Sequence, residues 1–259
     1  DYSKRLAALT PMFSGADIAN TCNEGALIAA RHNKDFVDFE DFEAAIERVI
    51  AGLEKKSLVL SPDERSRVAY HEAGHAIAGW FLKYAHPLLK VSIIPRGVGA
   101  LGYAQVQPRD QHLYSVDHLD HQICTLLAGR AAEQLIFNNI STGARDDLEK
   151  VTKIIYGEII KYGMNSKIGT LSFPDESGHT EKFYSEKTAK LVDSEARAMV
   201  MDAYRRTYEL LKEKKELVET VAQHLLKREV LRRDEMRELV GPRPYAEITT
   251  YERMFNLPS

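Results

Sequence analysis

The sequence predicts a mainly α-helical protein with one small β-hairpin. Most of the 259 residues carry apolar positions at helical spacing, and serines in N-cap positions open several of these runs. Only one stretch, Leu89 to Val106, alternates as a strand pair does around a glycine-rich turn.

The first long helix begins at Ser14 and runs to Arg31, with Ile18, Cys22, Ala26 and Ala29 as its apolar stripe. A second covers 39–50, with Phe42, Ala45, Ile46 and Val49 on one face. Glycine and charge interrupt the pattern at 51–57, which reads as a linker. Ser61, Pro62 and Glu64 form a strong start signal for a helix reaching about Tyr84. That helix is apolar on nearly every side (Val68, Ala73, Ala76, Ile77, Ala78, Trp80), so it is expected to be buried. Its many Ala and Gly residues let neighbours approach closely. Strands at 89–94 and 102–106 flank a turn carrying Gly97 and Gly99, and helices are expected at 115–137, 145–162, 185–212 and 213–239. Residues 172–180 read as a loop, and the chain beyond Gly241-Pro242-Arg243-Pro244 as irregular.

A formal net charge of -3 gives no general attraction to nucleic acid or anionic lipid. No run of 18 apolar residues is present, and the chain, opening at Asp1, reads as a segment of a longer protein. Cys22 and Cys124 are far apart and form no Cys-x-x-Cys pair. They read as reduced, partly buried thiols, so any metal must be held by His and carboxylate.

His71-Glu72-Ala73-Gly74-His75 is the one chemically specific motif. Two histidines four apart on a helix share a face and can reach one Zn²⁺, and the Glu beside the first can move a proton to and from a water activated there. Burying two His and a Glu without partners would cost several kcal/mol, so a metal or an equivalent network is required. Catalytic zinc needs a third protein ligand and one open position. A metzincin-type third His would fall at position 81, which is Phe81, and His112, His118 and His121 lie in a polar stretch and read as solvated.

Carboxylates are the better source. Leu148, Val151, Ile154, Ile155 and Ile159 define an inward helix face; Asp147 lies about 60° from its centre and Asp146 about 160° away. Asp147 is the preferred third ligand. Glu133 is the competing choice, either as a ligand or as the acceptor that orients a ligating His, and the orienting role is favoured.

The motif His71–His75, the segment Ser141-Thr142-Gly143-Ala144-Arg145-Asp146-Asp147 and Gly129-Arg130-Ala131-Ala132-Glu133 together resemble the peptidase domain of FtsH-type AAA proteases. Phe13-Ser14-Gly15-Ala16-Asp17-Ile18 is similar to that family's helical AAA lid, and Val91 to Gly97 with Gly241 to Tyr245 most resembles the mitochondrial m-AAA branch. The resemblance implies that residues 1–54 are a partial lid and linker and 55–259 the zinc peptidase domain. It implies zinc held by His71, His75 and Asp147, with Glu72 as catalytic base. It further implies homo- or hetero-hexamers with like subunits, a membrane anchor outside this chain, and a matrix-facing place at the mitochondrial inner membrane. ATP and Mg²⁺ belong to a part of such a protein not included here, since no Walker A loop occurs in the sequence. Gln134 departs from the second Glu common in relatives and touches none of these roles.

The implied activity is endoproteolysis of unfolded or membrane-extracted polypeptides. Substrate is expected as an added strand on the β region, with Ile93 and Ile94 lining subsites if they do not simply pack in the core. The rivals are a catalytically inactive ring-assembly scaffold, which the intact motif disfavours, and a nucleic-acid module in residues 1–50, which lacks a basic patch.

Overall fold

The computed structural model describes residues 2–10, 12–52, 60–95, 101–106, 113–174 and 183–245. The chain divides into two compact units. One comprises residues 1–69, 86–110 and 223–259, the other residues 70–85 and 111–222. The linker boundary near 54, the glycine turn at 97–99, His112 and most of the 172–180 loop lie outside the described residues.

In the first unit, α1 (Ser3–Leu9), α2 (Gly15–Arg31) and α3 (Phe39–Ala51) are joined by short turns. Ser14 caps α2 as expected: its hydroxyl accepts from the Asp17 N–H, and the Asp17 carboxylate accepts from the Ser14 N–H. Asp38 and Asp41 cap α3 in the same reciprocal way, and Lys34 bridges both carboxylates at 2.7 and 3.0 Å. The buried face of α2 is Thr21, Gly25 and Ala29; of the predicted stripe Ala29 is buried, whereas Ile18, Cys22 and Ala26 are exposed. The reason is close approach. A β-carbon on Gly25 would stand 3.3 Å from the Phe42 ring, so small residues sit where α3 crosses.

The sheet has β1 (Leu88–Ser92) at its centre, antiparallel to β2 (Tyr103–Val106) on one side and β3 (Val230–Arg232) on the other. Val91 faces Ala104 and Leu231, and both Val91 and Leu231 are fully buried. The third strand corrects the continuous helix expected over 213–239: α8 (Lys215–Arg228) ends, β3 follows, and α9 (Arg233–Val240) resumes. Glu229, at φ 64°, turns the chain out of the helix, and the apolar pair Val230-Leu231 then completes β1. Lys90 is held by Glu47 of α3.

In the second unit, α4 (Pro62–Phe81, whose first residues belong to the first unit) passes into α5 (Val116–Phe137), α6 (Arg145–Tyr156), α7 (Glu186–Glu213) and most of α8. The start of α4 is the predicted capping box, with the Ser61 N–H and hydroxyl on the Glu64 carboxylate. From Ala69 onward α4 is almost entirely buried. Ile123, Leu127, Val151, Ile155, Ile159 and Val192 form the main core, each worth about 1.5–3 kcal/mol of burial. Cys124 is buried here, whereas Cys22 in the first unit is exposed. Among the described residues no helix is long and apolar enough to cross a membrane.

The helix predicted over 145–162 ends in a π-turn, Gly157–Lys161. Within it Glu158 is 2% exposed, and its Oε1 has no hydrogen-bond partner among the described residues. Burial, reinforced by the negative charge of Asp120, pushes its carboxyl from 4.5 up to about 7. The unfolded chain therefore releases this proton first, and stability falls as pH rises from about 4.5 to about 7. Urea melts of Glu158→Gln beside the wild type are expected to show the variant gaining about 1–3 kcal/mol relative to wild type between pH 5 and pH 8. Parallel pH curves for the two proteins would remove Glu158 as the cause.

Candidate metal centre

The buried half of α4 carries His71, Glu72 and His75, and α5 runs antiparallel beside it. Gly74 permits the approach: a β-carbon there would lie 2.5 Å from the Ala128 carbonyl oxygen and 2.7 Å from the Ala132 β-carbon. Each histidine is tied to α5 through Nδ1. His71 Nδ1 is 2.8 Å from Glu133 Oε1, and His75 Nδ1 is 2.8 Å from the Thr125 carbonyl oxygen. A carbonyl can only accept, so His75 donates from Nδ1 and keeps its Nε2 lone pair free; the Glu133 carboxylate imposes the same tautomer on neutral His71.

Both Nε2 atoms point at Asp147, from the first turn of α6. His75 Nε2 lies 3.2 Å and His71 Nε2 3.5 Å from Asp147 Oδ2. Among the described residues this is the one group of three or more His, Cys, Asp or Glu with ligand atoms all within 4.8 Å. A tetrahedral ion with ligands at 2.0–2.1 Å holds them about 3.3 Å apart, so the two His–Asp separations fit zinc, as does a donor set of two imidazoles and a carboxylate. Asp146 is exposed, while the Asp147 side chain is 18% exposed and turned inward, the separation expected from the helix wheel.

The charges around the cluster also favour a cation. Burial opposes protonation of His71, but the Asp147 and Glu133 carboxylates and the charge of Glu72 outweigh it and push its pKa up to about 9. Burial works to raise Asp147; its close contacts with the two imidazoles, His71 first, overcome it and hold the carboxyl well below its ordinary range. Glu72, 6% exposed, is raised by burial against the lowering charges of His75 and His71.

Glu133, 1% exposed, contacts His71 Nδ1 and does not belong to the His71–His75–Asp147 group. Ile93 and Ile94 lie in the first unit, at the end of β1. Ile93 is 3% exposed and gives its N–H to the Glu229 carbonyl, so its side chain is core; Ile94 is half-buried. His118 and His121, expected to be solvated, are half-buried against Tyr84, whose N–H donates to His121 Nδ1. The tie from Thr125 had no sequence signal, being a main-chain carbonyl. Gly129 also went unassigned from the residues alone. A β-carbon there would stand 2.3 Å from His71 Nε2, and a glycine inside an alanine-rich helix was its only sign.

Residues 2–44 match the AAA+ lid domain, and residues 58–239, more than half of the chain, match peptidase family M41. The mouse (Mus musculus) mitochondrial inner membrane m-AAA protease component AFG3L1 is 58% identical over 96% of this chain and 32% of its own length. The yeast (Saccharomyces cerevisiae) m-AAA component YTA10 is 53% identical over 95% of this chain and 33% of its own length. The ATP-dependent zinc metalloprotease FtsH of Rhodothermus marinus is 49% identical over 93% of this chain and 35% of its own length. The chain thus spans about a third of the curated relatives it matches. A family match of that extent, laid over a His-His-carboxylate cluster on the helix where the sequence motif falls, leads to one conclusion: this chain belongs to peptidase family M41.

Proposed function

We propose that this chain is the zinc-dependent endopeptidase part of an ATP-dependent AAA protease, with residues 1–54 as lid and linker and 55–259 as the peptidase domain. The observation that carries this reading is the convergence of His71 Nε2, His75 Nε2 and Asp147 Oδ2 with both Nδ1 atoms already engaged. His71, His75 and Asp147 hold the metal. When bound, zinc supplies Lewis acidity toward the scissile carbonyl and lowers the pKa of water to about 7. Glu72, beside both imidazoles, takes the proton of the attacking water and returns it to the leaving nitrogen. Glu133 and the Thr125 carbonyl keep both rings in the ligating tautomer.

Substrates are unfolded or membrane-extracted polypeptides, read through main-chain pairing at a sheet edge. Both edges of β1 are occupied, so among the described residues the outer edges are those of β2 and β3, and Ile94 is a better subsite residue than the core-packed Ile93. The relatives named mitochondrial inner membrane m-AAA protease components support a place at that membrane; a homo- or hetero-hexamer of like subunits, facing the matrix and anchored outside this chain, completes the proposal. ATP and Mg²⁺ are used by the AAA portion.

Casein digestion with and without o-phenanthroline, run beside metal analysis of Asp147→Asn, Asp146→Asn and Glu133→Gln, tests the reading. Chelator-sensitive cleavage is expected, with zinc lost from Asp147→Asn and kept by Asp146→Asn. Zinc kept by Asp147→Asn but lost from Glu133→Gln would overturn the ligand assignment, and chelator-insensitive cleavage would overturn the zinc mechanism.

A further inference from the structure

Resting on the zinc reading above, we propose that Ser141 is a positioning residue of the metal centre, acting through Glu133 on His71. Among the described residues, three hydrogen bonds converge on the buried Glu133 carboxylate. His71 Nδ1 lies 2.8 Å from Oε1, the Ser141 hydroxyl donates to the same Oε1 at 3.0 Å, and the Ser141 N–H donates to Oε2 at 2.8 Å. The Ser141 oxygen in turn accepts from the Gly143 N–H at 3.1 Å, so its single proton is directed to Glu133.

The need for such a lock follows from the Glu side chain. Its terminal torsion is soft, and a carboxylate held by His71 alone could swing its plane away from the ring. With two donors from Ser141, one per oxygen, the plane is fixed and Oε1 is kept facing His71. The ring orientation, and with it the direction of the Nε2 lone pair, is then set from the second residue outward.

Ser141 does this from a particular place. It is the N-cap of the 3-10 turn Thr142–Ala144, which runs directly into α6 and Asp147. One residue therefore pins the orientation of the His71 ligand and begins the segment that delivers the Asp147 ligand. His71, Glu133, Ser141 and Asp147 form a closed path around the metal position. A residue serving only as a turn cap would have no need to reach Glu133 with both its hydroxyl and its N–H.

The test measures the zinc dissociation constant of the purified protein by competition with a chromophoric chelator, for wild type, Ser141→Ala, Glu133→Gln, the double variant and Ser141→Thr. Ser141→Ala is expected to weaken zinc about 10–100-fold, and Ser141→Thr, which keeps the hydroxyl, to stay within about threefold of wild type. Because Ser141 acts through Glu133, the double variant is expected to bind zinc about as weakly as Glu133→Gln alone. Wild-type affinity in Ser141→Ala overturns the proposal. So does full additivity in the double variant, which would mean that Ser141 supports the fold independently of Glu133. Should Ser141→Ala fail to fold, loss of affinity in a folded Ser141→Thr overturns it and wild-type affinity there supports it. Failure of the zinc reading is distinguishable, since wild type itself would then bind no zinc.

Discussion

A Gly129→Ala variant is expected to lose its metal while retaining His71, His75 and Asp147. A β-carbon on Gly129 would stand 2.3 Å from His71 Nε2, 2.5 Å from Cδ2 and 2.6 Å from Cε1. These are less than van der Waals separations, and both groups are fixed: Gly129 lies in the middle of α5, and the His71 ring is anchored to Glu133 one turn later on the same helix. The ring must leave, breaking a buried hydrogen bond worth about 1–3 kcal/mol and carrying Nε2 away from Asp147. Metal sites tolerate ligand errors of only about 0.2 Å, so zinc affinity is expected to fall more than a hundredfold. Alanine favours a helix interior over glycine by about 1 kcal/mol, so α5 itself is not weakened. Zinc stoichiometry after dialysis, with circular-dichroism melting of the metal-free proteins, separates the two effects. A folded Gly129→Ala protein with a full complement of zinc would show that α4 and α5 can part to admit a methyl group.

Glu72→Gln is expected to show the opposite pattern, with metal kept and turnover lost. Glu72 is outside the His71–His75–Asp147 group, and glutamine preserves its shape, so the ligands stay in place. What disappears is the proton acceptor of the proposed mechanism. Burial raises the Glu72 carboxyl and the two imidazoles pull it down, a balance suited to a group that must both accept and return a proton. General-base catalysis contributes about 10²–10⁴-fold, and kcat for casein cleavage is expected to fall by that amount with KM little changed. A kcat within tenfold of wild type would remove Glu72 from the proton transfer.

The elements that were legible in the sequence are those whose signals are local. Ser14 and Ser61 cap the helices they open, and the apolar surround of α4 announced its burial. The wheel argument separated Asp147 from Asp146 because the core face of α6 is strongly apolar on one side. On α2 the apolar residues do not mark the buried face. Its neighbour selects small residues, so the apolar stripe and the buried face do not coincide. β3 was missed because three residues between two helices carry too little periodicity to read, and their partner β1 lies far away in sequence. The supports of the histidines were the least legible. The Thr125 carbonyl has no side-chain identity, and Gly129 and Ser141 act by what they leave open or whom they touch, which depends on a partner helix.

The long-range pairing of β3 with β1 has a consequence for how the chain is made. Val91 meets Leu231 across a gap filled by all of α5, α6, α7 and α8. During synthesis β1 can pair with β2 at once, but its other edge stays open until residues 230–232 emerge. Closing so long a loop is entropically slow, and an open apolar strand edge is a template for pairing between chains. β3 is thus the strand that closes the second edge of β1.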